Sequence, residues 1–346
     1  MRRLPAVRFL VAGLAALLGG SLVAGGLVVG CSSGPGTAYA DGAARSVIRT
    51  LPGNGGAAGA SAQAGDALLP NASPTPTPTA SPEIVVSGAP QGVRAKTGVL
   101  ADAATGQVLW SQGLNAERPM ASITKVMTAY LVINAGDLDR KVTIPKGVLN
   151  YVVKYGASSD DLKPGEVLTV RELLYGLLLE SGADAAYTLA STYGPGIGAF
   201  VAQMNATATQ LGMLHTHFTS PDGLPYPTET STYSTPADLL VLGEAAMKSA
   251  LFRSIVDQRY YSLPKGDGHA AHWWGNSNDL IGHYQGAIGI KTGYTDVALH
   301  CLLFEAVRGN RDLIGVVLGS PATGPASGAQ DAAKLLNWGF ALKPTQ

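Results

Sequence analysis

The sequence predicts an α+β fold, an antiparallel sheet flanked by helices with a helical subdomain. Three observations carry this expectation. Strand-like apolar runs stand at both ends of the part beyond residue 91, helix-like runs fill its middle, and 46% hydrophobic residues in a 346-residue chain suffice for a sizeable core. Strands at both ends with helices between them bring the two ends of that part together in one sheet.

The elements follow in chain order. Arg2, Arg3 and Arg8 precede an uncharged run over residues 9–30, the layout of an export signal. Three endings are open. Cleavage before Cys31, within "LVVGC", resembles bacterial lipoprotein processing and is favoured, with a lipid on Cys31 as the membrane anchor. Cleavage after "AYA" at Ala40, giving a secreted chain, is the runner-up; retention as a membrane span is the third, although Gly19, Gly20, Gly25 and Gly26 make a poor helix. The domain boundaries expected are therefore 1–31 for the signal, 32–90 for a linker and 91–346 for the folded domain. The linker is dominated by Gly, Ala, Ser, Thr and Pro and includes "SPTPTPTASP", too little apolar surface to offset the entropy of ordering it. Its Pro-rich part suits an extended spacer.

In the domain, "RAKTGVLADAATGQVLWSQG" reads as two strands around a turn at 104–106. A helix opens near Ser122 and stops at Gly136, with Val126, Met127, Tyr130, Leu131 and Ile133 as its apolar positions. "KPGEVLTVRELLYGLLLESGADAAYTLAS" follows as helices, with a capping box at Thr169 and Glu172 and a polar break at Ser181 and Gly182. Helices are expected at 198–211 and 235–249, strands at 287–292, 299–307 and 311–318, and a last helix around 330–342.

Charge excludes one class of partner. Lys+Arg and Asp+Glu are both 24, so no net field favours a nucleic acid, and binding must come from a local site. Cys31 and Cys301 stand too far apart in context to suggest a disulfide framework, and Cys301 in "LHCLLFEAV" reads as a small buried apolar residue. "HTH" at 215–217 and "HAAH" at 269–272 have spacings zinc can use, yet no carboxylate or cysteine cluster accompanies them. No metal and no cofactor is expected. Trp273 and Trp274 suit packing or a groove wall equally.

Three short motifs carry chemistry. In "PMASITKVM" a serine stands three residues before a lysine, so on a helix the Lys125 amine reaches the Ser122 hydroxyl. Ser181 opens a polar break in "LLLESGADAA", and "GAIGIKTGYTD" places Lys291, Thr292 and Gly293 on a strand. A serine hydroxyl is a poor nucleophile until a base takes its proton, and a lysine serves as that base only when burial or a neighbouring cation lowers its pKa. Lys291 supplies such a cation. The strand turns Lys291 to the cleft and Thr292 toward a substrate carboxylate, and Gly293 leaves room for a peptide. Backbone N–H groups near Ser122 and, by analogy, Tyr294 would form an oxyanion hole.

SxxK, a serine-centred second motif and KTG, in that order, resemble the signature of penicillin-binding proteins and class A β-lactamases. With "RPMASITK", "LTVRELLYGLLLESGADAA", "HFTSPDGL" at 217–224, "NSN" at 276–278 and "GIKTGYT", the chain from Gly92 onward resembles the low-molecular-mass serine D-alanyl-D-alanine carboxypeptidases. The resemblance implies a penicillin-binding-protein-like fold and acylation of Ser122 by the penultimate D-alanine of a peptidoglycan stem peptide. It further implies Lys125 as general base, Ser181 as proton relay, and Lys291 with Thr292 binding the terminal carboxylate. β-Lactam antibiotics would be covalent inhibitors. Two positions depart from the family pattern: Ala183 stands where the second motif normally ends in asparagine, and Ala298-Leu299 stands where Ala-Gly is usual. The readings kept open beside the carboxypeptidase are a wall endopeptidase, a β-lactamase-like enzyme, for which Glu229 is the nearby candidate second base, and a weakened peptidoglycan-binding or penicillin-binding protein.

Overall fold

The structure, a computed structural model, describes residues 88–321 and 327–342. The export signal, Cys31, Ala40 and nearly all of the linker expected over 32–90 lie outside the described residues.

The first half runs β1 (Thr97–Asp102), β2 (Val108–Gln112), β3 (Arg118–Pro119), a 3-10 turn (Ala121–Thr124), α1 (Lys125–Ala135), β4 (Lys141–Thr143), α2 (Val148–Tyr155), β5 (Val167–Thr169), α3 (Val170–Leu179) and α4 (Ala183–Tyr193). The second half runs α5 (Ile197–Gln210), β6 (Tyr233–Ser234), α6 (Pro236–Met247), α7 (Ala250–Val256), β7 (Tyr260–Leu263), β8 (His272–Gly275), β9 (Ala287–Thr295), β10 (Leu299–Arg308), β11 (Arg311–Ser320) and α8 (Ser327–Ala341). Five strands form one antiparallel sheet in the order β2-β1-β11-β10-β9, so the first strands of the domain pair with the last. This is the α+β arrangement expected from the sequence.

Strand β10 explains why "LHCLLFEAV" reads as a continuous apolar run. Cys301 and Leu303 pack on the side of the helical region, whereas Leu302, Phe304 and Ala306 pack with Leu335 and Leu336 of α8. A strand covered on both faces loses the polar alternation of a half-exposed one. Helix α1 is buried along Val126, Met127, Ala129 and Val132 and runs through the helical region.

The helix expected over 235–249 is α6, and Ser249 caps the start of a further helix, α7, by accepting from Phe252 N–H. Helix α2 and the β7–β8 hairpin were not anticipated. The Thr169–Glu172 capping box is present in both directions, and it fixes the entry of α3, whose far end delivers Ser181.

Candidate active site

A cleft of about 620 Å³ lies between edge strand β9 and the helical region, lined among others by Ser122, Lys125, Ser181, Ala183, Thr292, Gly293 and Tyr294. These residues come from three stretches of the chain: the serine turn and start of α1, the break before α4 with its first residue, and β9. Ser122 sits in the 3-10 turn and Lys125 is the first residue of α1, so the predicted i, i+3 relation holds, and Lys125 Nζ donates to Ser122 Oγ at 2.9 Å. Ala121, just before the serine, has φ +48°, an uncommon backbone for a residue with a side chain. Strain of that kind is tolerated where the surroundings over-determine the turn.

Those surroundings are close. A Cβ on Gly293 would come within 2.6 Å of Met120 O and 3.1 Å of Ser122 N, and a Cβ on Gly223 within 2.0 Å of Ala121 O. Gly293 is therefore glycine first of all because β9 presses on the serine turn, a nearer obstruction than the incoming peptide expected from the sequence. Gly223 belongs to "HFTSPDGL", which forms the floor under α1. There Lys125 Nζ donates to Asp222 O at 3.0 Å and Thr128 Oγ1 to Pro221 O at 2.6 Å, while Tyr151 OH donates to Asp222 Oδ2 at 2.9 Å.

Burial and the neighbouring charges act in opposite directions on the Lys125 amine. Burial pushes Lys125 below the usual 10.5, with Asp222, Asp160 and Asp184 opposing the shift. Lys291 is also buried, 1% exposed, and desolvation and the Lys125 charge hold it well below its ordinary value. Its amine donates to Thr292 O at 3.2 Å and Oγ1 at 3.3 Å, so it sits against the hydroxyl of a residue that lines the cleft. Thr292 Oγ1 also meets Ser277 Oγ at 2.7 Å, which brings "NSN" into the site.

Ser181 occupies the break between α3 and α4 with φ +73°. The preceding loop clamps it: Ser158 Oγ donates to Ser181 O, and Ala183 N–H donates to Ser158 O at 2.9 Å. Asp184 does more than complement a helix dipole, since its carboxylate accepts from Ser159 Oγ at 2.7 Å, Asp160 N–H at 2.9 Å and Leu162 N–H at 3.2 Å. Asp160 is 2% exposed, and its carboxylate oxygens have no hydrogen-bond partner beyond an approach by Gly182 N–H. Burial and the neighbouring Asp184 charge push its carboxyl well above the ordinary range.

The comparisons agree with this geometry. Residues 84–322 match the D-alanyl-D-alanine carboxypeptidase family. A D-alanyl-D-alanine carboxypeptidase from a Streptomyces strain is 42% identical over 250 residues, 69% of this chain and 84% of the relative. The chain belongs to the D-alanyl-D-alanine carboxypeptidase family. Among solved structures, a Streptomyces DD-transpeptidase aligns with a TM-score of 0.69 at 40% identity, covering 74% of this chain and 100% of that one. A D-alanyl-D-alanine carboxypeptidase from Mycobacterium tuberculosis aligns with a TM-score of 0.69 at 37% identity, covering 75% and 96%.

For a carboxypeptidase-family cleft, the arrangement offers a serine hydroxyl within hydrogen-bond distance of a buried lysine amine, a second cleft-lining serine and a threonine beside a second buried amine. Cys301 lines the same cleft, and burial raises its thiol to about 11, which keeps it protonated and poorly reactive. Glu229 lines the outer wall with Leu224 and Pro225. The histidines serve elsewhere: His215 faces Glu117 at 3.5 Å and His272 faces Glu166 at 3.3 Å. Asp160, Asp184, Asp222 and Ser277 escaped sequence reasoning as site residues, although Asp184 lies in "LLLESGADAA", Asp222 in "HFTSPDGL" and Ser277 in "NSN"; no motif pointed at Asp160.

Proposed function

We propose that this chain is a serine D-alanyl-D-alanine carboxypeptidase that trims peptidoglycan stem peptides through an acyl-Ser122 intermediate. The observation that carries the reading is the 2.9 Å contact of Ser122 Oγ with a buried lysine at the bottom of a peptide-sized cleft. Neutral Lys125 takes the Ser122 proton as Oγ attacks the carbonyl carbon of the penultimate D-alanine. The oxyanion that forms is received by backbone N–H groups of Ser122 and Tyr294. On collapse the C–N bond breaks, the leaving D-alanine nitrogen receives a proton through Ser181, and Thr292 with the Lys291 charge behind it holds the terminal carboxylate. Water then cleaves the ester and returns free Ser122. A β-lactam enters the same path and stays on Ser122 because its ring-opened remnant blocks the water.

The similarity to a DD-transpeptidase over its whole length supports a second reading in which an amine replaces water as acceptor. Both readings share the acyl-enzyme. Incubation with a pentapeptide ending in D-Ala-D-Ala, with and without an amine acceptor, separates them by whether free tetrapeptide or a transfer product accumulates. Ser122→Ala is expected to abolish both D-alanine release and labelling by fluorescent penicillin. Labelling that survives the substitution removes Ser122 as the nucleophile.

We also infer export, with residues 91–346 working outside the cytoplasm. Among the described residues no helix is long and apolar enough to cross a membrane. The reading favoured is a lipid on Cys31, with the 32–90 segment as a spacer that lets the domain reach the wall. Mass spectrometry of the mature chain tests it: a lipidated N-terminal Cys31 is expected, and a mature N-terminus at Asp41 would mean a released protein.

A further inference from the structure

The β7–β8 hairpin has two aromatic faces, and the fold uses only one. On the inner face Trp274 is buried, its indole N–H donates to Asp160 O at 2.9 Å, and Tyr261 lies between Trp274 and Tyr175, stacked on the latter at 3.8 Å. On the outer face Trp273 is 63% exposed and Tyr260 55% exposed, their rings 23° from parallel with centroids 5.8 Å apart. Side-chain alternation along a strand accounts for one aromatic pair facing in and one facing out, but not for the outer residues being aromatic. Two adjoining exposed rings form a flat apolar shelf, the type of surface that marks an interaction site.

The backbone makes room for this shelf. A Cβ on Gly275 would come within 3.1 Å of the Trp273 ring, so glycine lets the indole lie down on its own strand. The shelf also continues into the cleft. Gly275 N–H donates at 2.9 Å to Oε2 of Glu180, and Glu180, exposed and next to Ser181, lines the cleft with Ser277 and Asp279. A ligand that filled the cleft and extended past Glu180 would meet Trp273 next.

We propose that Trp273 and Tyr260 form a glycan shelf that holds the N-acetylated pyranose strand to which the substrate peptide is attached. The chemistry selects this occupant. Pyranose rings present C–H bonds polarised by neighbouring oxygens, which suit the electron-rich face of an aromatic ring. Their hydroxyl and amide N–H groups are donors that match the exposed carboxylates of Glu180 and Asp279 at the margin. An anionic lipid surface would meet those carboxylates unfavourably. The proposal rests on the carboxypeptidase reading for the identity of the polymer, and the shelf is a positioning surface, remote from the reacting atoms.

The test uses the exported chain without its signal, in three measurements. Peptide-free glycan oligosaccharides are titrated against the Ser122→Ala protein by tryptophan fluorescence and calorimetry, which needs no turnover and so stands apart from the activity assay. Saturable binding that Trp273→Ala weakens about tenfold, and that Trp273→Tyr partly restores, is expected. In the active protein, Trp273→Ala is expected to raise KM for glycan-linked pentapeptide by a similar factor, leaving kcat, hydrolysis of free pentapeptide and penicillin acylation as in the parent. Vesicle co-sedimentation and sedimentation velocity examine the other occupants. Equal loss on free and glycan-linked peptide, no change on either, no glycan binding by the Ser122→Ala protein, or a Trp273-dependent loss of vesicle binding or self-association instead would each overturn the shelf. Failure of the parent to release D-alanine from any peptide would overturn the activity reading, with the glycan titration still deciding the shelf.

Discussion

The Asp222 carbonyl oxygen lies 3.0 Å from Lys125 Nζ, opposite a 2.9 Å contact of the same nitrogen with Ser122 Oγ. The amine is thus held between a loop carbonyl and the hydroxyl it would deprotonate. The charged groups that bear on it are Asp222, Asp160 and Asp184, all of which favour its charged form. Burial outweighs the carboxylates and lowers the pKa below 10.5. Below that depressed pKa Lys125 carries a proton and cannot accept another; above it the amine is free. Acylation by penicillin should therefore rise with pH along a limb lying below 10.5. Asp222→Asn removes a charge that raises the pKa, so the limb should move to lower pH in stopped-flow acylation profiles. A limb that stays in place or moves up would show that Lys125 is not the group titrating.

Ser277 and Thr292 make a second testable pair. Their hydroxyls meet at 2.7 Å, and Thr292 Oγ1 also accepts from Lys291 Nζ at 3.3 Å, so Ser277 fixes which way the Thr292 hydroxyl points. Ser277→Ala loses about 1 kcal/mol of that orientation, or roughly fivefold in kcat/KM for pentapeptide. Ser277 is exposed, so the melting temperature should not change. Unchanged kinetics would mean that Lys291 alone orients the threonine.

Gly182 illustrates a packing constraint hidden behind the second motif. Its backbone, φ −61° and ψ 127°, suits any residue, yet a Cβ would come within 1.9 Å of Asp160 Oδ2. Gly182→Ala should thus destabilise by about 1–3 kcal/mol through overpacking alone. Asp160→Ala in the same chain removes the obstruction, so the double variant should be more stable than the two single effects predict when summed. Denaturant midpoints measure this. Simple additivity would mean that Asp160 moves aside and that the glycine is not required by it.

Much of the site was legible because its key pairs are local or carried by strong patterns. Ser122 and Lys125 are neighbours on one turn, Ser181 interrupts two apolar helices, and the Lys291 segment sits on a strand whose partners are equally apolar. That the first and last strands share one sheet followed from strands at both ends of the domain, but their order did not. What escaped depends on contacts across long stretches of chain. Lys125 and Asp222 are 97 positions apart, and nothing in "SPDGL" beyond its turn character announces that its carbonyl faces a lysine. Asp160 and Asp184 are 24 apart, and a buried acid at a helix start reads like any dipole-favouring residue until its loop partners are known. Period 2 turns Lys291 to one face of β9, but it does not tell that the amine there is buried against the Thr292 hydroxyl.

Ala183 is where the chain leaves the pattern of the family it belongs to, and the structure sharpens what that costs. It is the first residue of α4, 1% exposed, and it borders the cleft between Ser158 and Ser181. Its N–H is already committed to Ser158 O at 2.9 Å, so the backbone there is fixed whatever the side chain. An asparagine amide at this position would add one donor and one acceptor to a wall facing Lys125 and the substrate carbonyl. Each group left unpaired costs about 1–3 kcal/mol, and each 1.36 kcal/mol lost only in the transition state is about tenfold in rate. The Ser158 hydroxyl also lines that wall, but it is spent on Ser181 O. Ala183→Asn should therefore raise kcat for pentapeptide by about tenfold while leaving the order of preference among peptides unchanged, and penicillin acylation should rise in step. The readout is D-alanine release at saturating substrate beside the acylation rate. A variant equal to or slower than the parent in both would mean that the site is complete with alanine and that the serine-lysine pair needs no amide from the second motif.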